Sequence, residues 1–298
     1  MPRSSRSARP TGTTRSTRRR LPLVAALAAA TALVAGVTAP AYAADPAPLA
    51  PSASAIEGRP AFHPDRDFAG STVAAHEGRT GGAPAASLAV TQTPGMDVAS
   101  YQGNVDWSTA AANGAQFAYV KATEGTSYTN PYFAQQYNGS YNAGLIRGAY
   151  HFALPGNSSG SAQANWFVDH GGGWSADGAT LPPALDIEYN PYGATCYGLS
   201  QSAMVSWISD FSNTVHYRTG RYPTIYTTTN WWSSCTGNYG GFGATNPLWI
   251  ARYSSTVGTL PNGWSYQTFW QYSDTGTFPG DQDLFNGASD RLSALALG

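Results

Sequence analysis

The chain has 298 residues, of which 42% are hydrophobic, enough for a folded domain with one sizeable core. Its 16 basic and 17 acidic residues are unevenly distributed, since seven arginines lie in the first 20 positions. Loss of that stretch would leave 9 basic residues against 17 acidic ones, a net charge of −8. Such a charge argues against nucleic acid and against an anionic membrane surface as partners.

Residues 1–43 are predicted to be a secretory signal peptide. The arginine-rich start is followed by an apolar, alanine-rich run over 21–37 and by the small-x-small cleavage site Ala41-Tyr42-Ala43. A loose twin-arginine pattern at 17–21 leaves the export route, Sec or Tat, open. We therefore expect a secreted, extracellular protein, with no other stretch that could span a bilayer.

The remaining chain divides into two parts of different composition. Residues 44–94 are rich in Ala, Pro, Ser and Gly and contain no Trp, which predicts a linker or pro-segment without a core of its own. Residues 95–298 contain all nine tryptophans and are predicted to form a single domain. The only two cysteines, Cys196 and Cys235, lie in this domain, and in an exported protein they predict one disulfide.

Short apolar runs alternate with helix-sized segments along this domain. The runs predict strands at 95–100, 117–122, 146–152, 184–189, 224–227, 248–253 and 268–272, with a last short piece near 284–285. Helices are predicted over 106–113, 131–143, 161–170 and 200–217. This alternation predicts parallel β-α-β units and an α/β fold, a TIM-like β/α barrel. An open doubly wound sheet is the alternative, although no G-x-G-x-x-G follows the first strand.

The final part of the barrel is predicted to be irregular. Its last three strands follow one another without room for full helices, so we expect few helices there. The whole domain is also shorter than the ~250 residues typical of this architecture.

Two acids on one short strand are the most informative feature of the domain. Asp186 and Glu188 lie two residues apart in an apolar run between Pro182-Pro183 and Asn190-Pro191. On a strand, residues i and i+2 point to the same face, ~6.5 Å apart along the backbone. Burying two like charges is costly, and it raises the pKa of one of the two carboxyl groups. A carboxylic acid with a raised pKa beside an ionised carboxylate is typical of a glycosidase.

Other polar and aromatic residues fall at the predicted strand ends, where barrels build their sites. The acids there are Asp97 on the first strand and the late Asp281 and Asp283. The side chains predicted to bind a sugar substrate are Tyr150, His151, Tyr226, Trp249, Trp270 and Gln271. Aromatic faces can cover apolar sugar faces while carboxylates and amides hold hydroxyls.

Five segments together resemble glycoside hydrolase family 25, the Chalaropsis-type lysozymes, and in particular secreted actinomycete muramidases. They are GMDVASYQG at 95–103, YVKATEG at 119–125, RGAYHF at 147–152, LDIE at 185–188 and FWQY at 269–272. The resemblance implies a β/α barrel that hydrolyses the β-1,4 bond between N-acetylmuramic acid and N-acetylglucosamine in peptidoglycan. It covers essentially all of 95–298 and none of 44–94.

The resemblance also implies roles for individual residues. Glu188 would be the general acid/base, with Asp97, Asp186 and a late aspartate completing the catalytic site and retention of configuration expected. The family motif Asp-x-Asn-x-Phe-x-Gly fits 281–287 if Asp281 is that aspartate, but Asp283 then replaces the asparagine and is the fallback. Asp186 would act in one of two ways: as a direct nucleophile, or by stabilising the cation formed when the substrate's own N-acetyl group attacks. The D-x-E pair on one strand favours the second role.

Other chemistry and other partners receive little support. A metal site at His151 lacks the H-x-x-x-H or H-E-x-x-H spacing, so we expect no metal and no cofactor. We expect a monomer whose partners are peptidoglycan glycan strands, with no nucleic acid and no membrane. A non-catalytic wall-binding barrel and a chitinase are the alternatives, the second lacking its longer Asp-x-x-Asp-x-Asp-x-Glu signature before Glu188.

Overall fold

Eight strands close into a barrel in the computed structural model, which describes residues 62–80 and 91–298. The barrel strands are β1 (Thr93–Val98), β2 (Phe117–Glu124), β4 (Ile146–Phe152), β5 (Ala184–Asp186), β6 (Thr224–Thr227), β7 (Leu248–Ala251), β8 (Phe269–Ser273) and β9 (Asp281–Phe285). A two-residue strand, β3 (Tyr128–Thr129), turns back onto β2 outside the ring. The predicted TIM-like α/β barrel is confirmed, and its first strand begins two residues before the predicted start of the domain.

The closing strand runs against its neighbours. From β1 to β8, each pair of neighbouring strands in the barrel is parallel. Strand β9 pairs antiparallel with both of its neighbours, β8 and β1. The predicted parallel pairing therefore holds for the other seven barrel strands and not for β9, where the closing part of the barrel was predicted to be irregular. Residues 274–280 are too few for the crossover of about a dozen residues that parallel pairing requires, so the chain returns directly.

Helices cover the outside of the first two thirds of the barrel. They are α2 (Trp107–Ala112), α3 (Phe133–Asn142), α4 (Gly160–Asp169), α5 (Gln201–Thr219), α6 (Thr229–Thr236) and α7 (Ser289–Leu297), and α1 (Val73–Glu77) precedes the barrel. The four predicted helices are confirmed, as is the scarcity of helices between the last three strands. The prediction missed α1, α6 and α7. The first turn of α6 is capped by the Thr228 side chain, which accepts from the Trp231 N–H at 3.0 Å.

Strand alternation divides the core into an inner and an outer layer. Aromatic residues fill the barrel interior, among them Tyr119, Tyr150, Tyr226 and Trp249. The intervening strand residues point outward and pack with aliphatic and aromatic side chains of α4, α5 and α6. Because neighbouring residues of a strand face opposite layers, this division decides which strand-end residues can reach a site at the barrel mouth.

The predicted disulfide is confirmed: Cys196, in the loop after β5, bonds to Cys235 in α6. In residues 62–80 and 91–298, no helix is long and apolar enough to cross a membrane. The predicted signal peptide, residues 1–43, lies outside the described residues.

Residues 62–80 lie across the mouth of the barrel, at the carboxyl ends of its parallel strands. Their helix α1 places Val73 in the interior core cluster, where Ala69 is also fully buried. Lys121 at the mouth donates to the carbonyl oxygen of Pro64 at 3.0 Å. This stretch, called the N-terminal segment below, belongs to the predicted linker or pro-segment and packs on the core of the barrel.

Candidate active site

Four of the predicted acids meet at the barrel mouth. Asp186 is the last residue of β5 and Glu188 follows two residues later, so both point inward by strand alternation. Asp97 on β1 lies directly opposite Asp281 on β9 in the antiparallel register. All four carboxyl groups are buried.

Glu188 has both carboxylate oxygens held by the N-terminal segment. The Gly70 N–H donates to Glu188 Oε1 at 2.7 Å, and the Thr72 hydroxyl donates to Oε2. Burial raises the pKa of Glu188 to about 8, although both of these hydrogen bonds favour the charged form. A carboxyl group of this kind carries its proton at neutral pH, as a general acid must.

Asp186 is buried without a hydrogen-bond partner. Within residues 62–80 and 91–298, neither of its carboxyl oxygens has one. Burial, followed by the nearby charge of Glu188, raises the pKa of Asp186 well above its usual value. Since a buried polar atom without a partner costs ~1–3 kcal/mol, this carboxyl group is arranged for a donor that the barrel itself does not supply.

Two late aspartates face the interior at different depths. Asp281 lies level with Asp97 at the mouth, whereas Asp283 lies one layer deeper, opposite Gly95, and accepts from Trp249 Nε1 at 2.8 Å. Burial raises the pKa of Asp97 to about 7 and that of Asp281 well above its usual value. This geometry favours Asp281 over Asp283 as the fourth acid of the site.

Gln271 connects the acids to two tyrosines. Its side-chain Nε2 donates to Asp97 Oδ2 at 2.7 Å, and its Oε1 accepts from the hydroxyls of Tyr226 at 2.7 Å and Tyr253 at 3.1 Å. Tyr253 was not among the predicted site residues. It continues the inward-facing series of Trp249 and Ala251, so strand alternation could have identified it.

Tyr150 and Trp249 occupy different levels of the interior. The Tyr150 hydroxyl lies at the mouth, where it accepts from the Ala69 N–H at 3.2 Å. Trp249 is fully buried below, stacked on Tyr119 with ring centroids 4.8 Å apart. Tyr150 is thus placed to meet a ligand, whereas Trp249 forms the floor that holds Asp283.

Two predicted substrate-binding residues point away from the site. His151 follows Tyr150 and faces outward, hydrogen-bonded to Thr123 and to Gln163. Burial lowers the pKa of His151 to about 3, so its ring is neutral. Trp270 also faces outward, in the layer beneath the helices. Both expectations are corrected because consecutive strand residues alternate between faces, so a strand-end position alone does not bring a side chain to the mouth.

A buried ion pair borders the acids. Lys121 Nζ contacts Glu124 Oε2 at 2.6 Å, and neither side chain is exposed. The Tyr192 hydroxyl lies within hydrogen-bond distance of Glu124 Oε1, at 2.8 Å, and of the Asp67 carboxyl group, and its single proton serves one of them at a time. In the described part of the chain, no group of three or more His, Cys, Asp or Glu residues is arranged to hold a metal ion.

Comparison with known proteins identifies relatives of the barrel. The profile of "Glycosyl hydrolases family 25" matches residues 96–281. The N,O-diacetylmuramidase of Chalaropsis sp is 53% identical over 208 residues, covering 68% of this chain and 99% of that protein. Lysozyme M1 of Streptomyces globisporus is 51% identical, covering 68% of this chain and 70% of that protein.

A solved structure agrees with the fold described above. A family GH25 lysozyme from Aspergillus fumigatus superposes with a TM-score of 0.69 at 53% sequence identity. The match covers 70% of this chain and all of that one. Both the architecture and the sequence of the barrel are therefore shared with proteins of this group.

Proposed function

The chain belongs to glycosyl hydrolase family 25, and from this premise we propose that it is a muramidase, a lysozyme acting on bacterial peptidoglycan. The bond cleaved would be the β-1,4 linkage from N-acetylmuramic acid to N-acetylglucosamine. The names of the Chalaropsis and Streptomyces relatives support this substrate. The observation that carries the proposal is the buried pair formed by Glu188, with its raised pKa, and the unpartnered Asp186.

Glu188 is proposed as the general acid and base. In the first step its protonated carboxyl group gives a proton to the glycosidic oxygen as the bond to the anomeric carbon breaks. In the second step the carboxylate takes a proton from water, which then attacks the anomeric carbon. Burial raises the pKa of Glu188 to about 8, and a sugar bound at the mouth would keep the group buried, so the protonated form is available for the first step at neutral pH.

Asp186 is proposed to assist the substrate's own acetamido group. The carbonyl oxygen of that group attacks the anomeric carbon, while Asp186 accepts its N–H and stabilises the positive charge that forms. Asp186 is the ionised member of the pair at this stage, because Glu188 holds the proton and both the substrate N–H and the developing positive charge favour the carboxylate. The absence of a protein donor to either oxygen of Asp186 among the described residues supports this role. In the second step water displaces the acetamido oxygen from the anomeric carbon and restores the acetamido group, so that two successive inversions give net retention.

The remaining mouth residues are proposed to position the sugar ring. Asp97 and Asp281 supply acceptors opposite Glu188, and Gln271 with Tyr226 fixes their orientation through the network described above. The reaction consumes only water, so no cofactor is proposed. The protein is proposed to act as a monomer on glycan strands. Action outside the cell accords with the predicted signal peptide.

The products distinguish this reaction from its alternatives. Purified peptidoglycan, with and without O-acetylation, is digested, and the new reducing ends are reduced with borohydride and identified. Muramicitol supports a muramidase, whereas glucosaminitol indicates cleavage of the other linkage. Release from chitin oligomers alone would indicate a chitinase, and binding to either polymer without new ends would indicate a wall-binding barrel. The enzyme used carries Gly70→Ala and Val73→Asp, two substitutions chosen to displace residues 62–80 from the barrel mouth.

A further inference from the structure

The N-terminal segment occupies the position that a substrate would need. Gly70 N–H and the Thr72 hydroxyl satisfy both oxygens of Glu188, as described above. Gln271 Nε2 donates to the carbonyl oxygen of Ala69 at 2.8 Å, and the Tyr253 hydroxyl lies 3.1 Å from both the carbonyl oxygen of Gly70 and Gln271 Oε1, so its single proton serves one of them at a time. The contacts to Glu188 and Gln271 use atoms that the proposed reaction requires for the sugar or its orientation.

The fit at the closest approach depends on glycine. Gly70 has φ +95°, a conformation that L residues rarely adopt. A Cβ atom built on it would lie 2.2 Å from the Tyr253 hydroxyl oxygen, 2.5 Å from Gln271 Oε1 and 2.9 Å from the Tyr226 hydroxyl oxygen. The backbone of the segment therefore touches the site directly, without room for a side chain.

Both ends of the segment are anchored to the rim. On one side, the Asp67 side chain accepts from the Tyr192 hydroxyl, and its carbonyl oxygen accepts from Lys121 Nζ. On the other side, Tyr189 donates to Glu77 at 2.9 Å, and the Thr80 N–H donates to the carbonyl oxygen of Tyr253 at 2.9 Å. Hydrogen bonds along the whole segment, and not a single contact, therefore hold it against the rim of the barrel.

The rim carries an open groove at each end of this segment. One cavity of about 550 Å³ is lined by Phe62 of the segment together with Tyr192 and Tyr197 of the barrel. Another of about 320 Å³ is lined by Glu77 and Thr80 of the segment together with Arg252 of the barrel. A polymer lying in both grooves would have to pass through the space that Ala69, Gly70 and Thr72 now fill.

The hydrogen bonds of the segment also oppose the chemistry. Two donors directed at Glu188 lower its pKa against the larger effect of burial, and they occupy the oxygens from which the proton would be given to the substrate. A covalently tethered segment competes at an effective concentration of about millimolar, which few polymer ends in solution can match. The segment lies outside the 96–281 range that matches the family profile.

We infer that residues 62–80 are an autoinhibitory segment that blocks the glycan cleft, and that the enzyme acts only when this segment leaves the barrel mouth. The inference rests on the proposed function, because it takes Glu188 and its surroundings as the site of reaction. Nothing in the barrel itself needs to change for activity to appear.

The test uses two matched variants of the chain from Ala44 onward. The unseated variant carries Gly70→Ala and Val73→Asp, which add a clash at the site and a charge in the core cluster. The control carries Gly78→Ala and Ala75→Asp in the same segment. Gly78 also has a positive φ, +74°, so both variants carry backbone strain of the same kind, but the added Cβ at position 78 meets nothing within 4 Å and position 75 is exposed. Both variants therefore have the same net charge, and their compositions differ only by one Val in place of one Ala.

Three readouts are compared with the unsubstituted chain. Amide hydrogen exchange over 62–80 reports whether the segment is seated. Binding of an N-acetylglucosamine tetramer reports whether the cleft is open, and reducing-end release from peptidoglycan reports turnover. We expect fast exchange and at least a tenfold gain in binding and turnover for the unseated variant, since loss of ~1.4 kcal/mol already corresponds to tenfold. The control should behave like the unsubstituted chain.

The outcomes separate this inference from the proposed reaction. A gain in tetramer binding without turnover on peptidoglycan supports the inhibitory segment and contradicts the proposed reaction. Fast exchange over 62–80 in the unseated variant with no gain in binding or in turnover overturns the inference. Equal gains in tetramer binding and turnover for the control also overturn the inference, because the contacts of Gly70 and Val73 with the barrel would then not be what limits activity.

Discussion

Replacing Asp97 with Asn should stabilise the folded chain at neutral and alkaline pH. Asp97 is fully buried beside Asp281 and Asp283, and burial raises its pKa from 3.8 to about 7. A carboxyl group whose pKa is raised by folding keeps its proton after the unfolded chain has lost it. The folded state therefore loses stability as the pH rises from ~4 to ~7, and the loss is complete above that range.

The size of this effect follows from the pKa. Each pKa unit corresponds to ~1.4 kcal/mol, so the rise to about 7 corresponds to about 4 kcal/mol for this group. Part of the gain is offset because Asn must rearrange its hydrogen bond with Gln271. We expect Asp97→Asn to raise the free energy of unfolding by about 2–4 kcal/mol at pH 8 and by little at pH 4.5.

Urea unfolding followed by tryptophan fluorescence measures this difference at both pH values. The control is Asp106→Asn, the exposed N-cap of α2, where hydrogen bonds from Ser108 and Thr109 lower the pKa to about 2. Asparagine also caps helices, so the control should change little and in the opposite direction. An Asp97→Asn variant that is no more stabilised at pH 8 than at pH 4.5 would refute the assignment of a buried, proton-retaining carboxyl group.

Two further predictions concern function and the disulfide. Asp186→Asn should lower kcat by about 10²–10³ with unchanged circular dichroism, because a neutral amide cannot stabilise the developing cation; near-normal turnover would exclude the proposed role. Replacing Cys196 and Cys235 by Ser opens a loop with a sequence separation of 39 and should lower the free energy of unfolding by about 3–4 kcal/mol. Urea titration of oxidised protein and this variant checks the value, and equal midpoints would show that the bond does not restrict the unfolded chain.

Local patterns were sufficient to predict most strands and the paired acids. The run around Asp186 and Glu188 has the spacing, the flanking prolines and the apolar neighbours that identify a buried strand end. The same alternation was not applied to His151 and Trp270, which adjoin the inward-facing Tyr150 and Gln271. Residues that are adjacent on a strand cannot share a face, so those two expectations could have been avoided from the sequence alone.

Contacts between distant parts of the chain could not be predicted in the same way. The hydrogen bond from the Gly70 N–H to Glu188 joins residues 118 positions apart in the sequence. The amino-acid composition around Gly70 is that of a linker. The segment has no hydrophobic periodicity of its own that would predict its position, because its contacts are with barrel residues far away in the sequence. The antiparallel direction of β9 likewise follows from a short connection and from ring closure, which only the assembled sheet makes evident.

The most direct test of a muramidase that uses Glu188 as its acid is the turnover of Glu188→Gln in the unseated background. Glutamine keeps the shape of the side chain but cannot give up a proton. We predict that muramic acid appears at new reducing ends with the unseated parent, and that Glu188→Gln lowers the rate by at least about 10³ while the tetramer still binds. Turnover within tenfold of the parent would contradict the role of Glu188 as the acid.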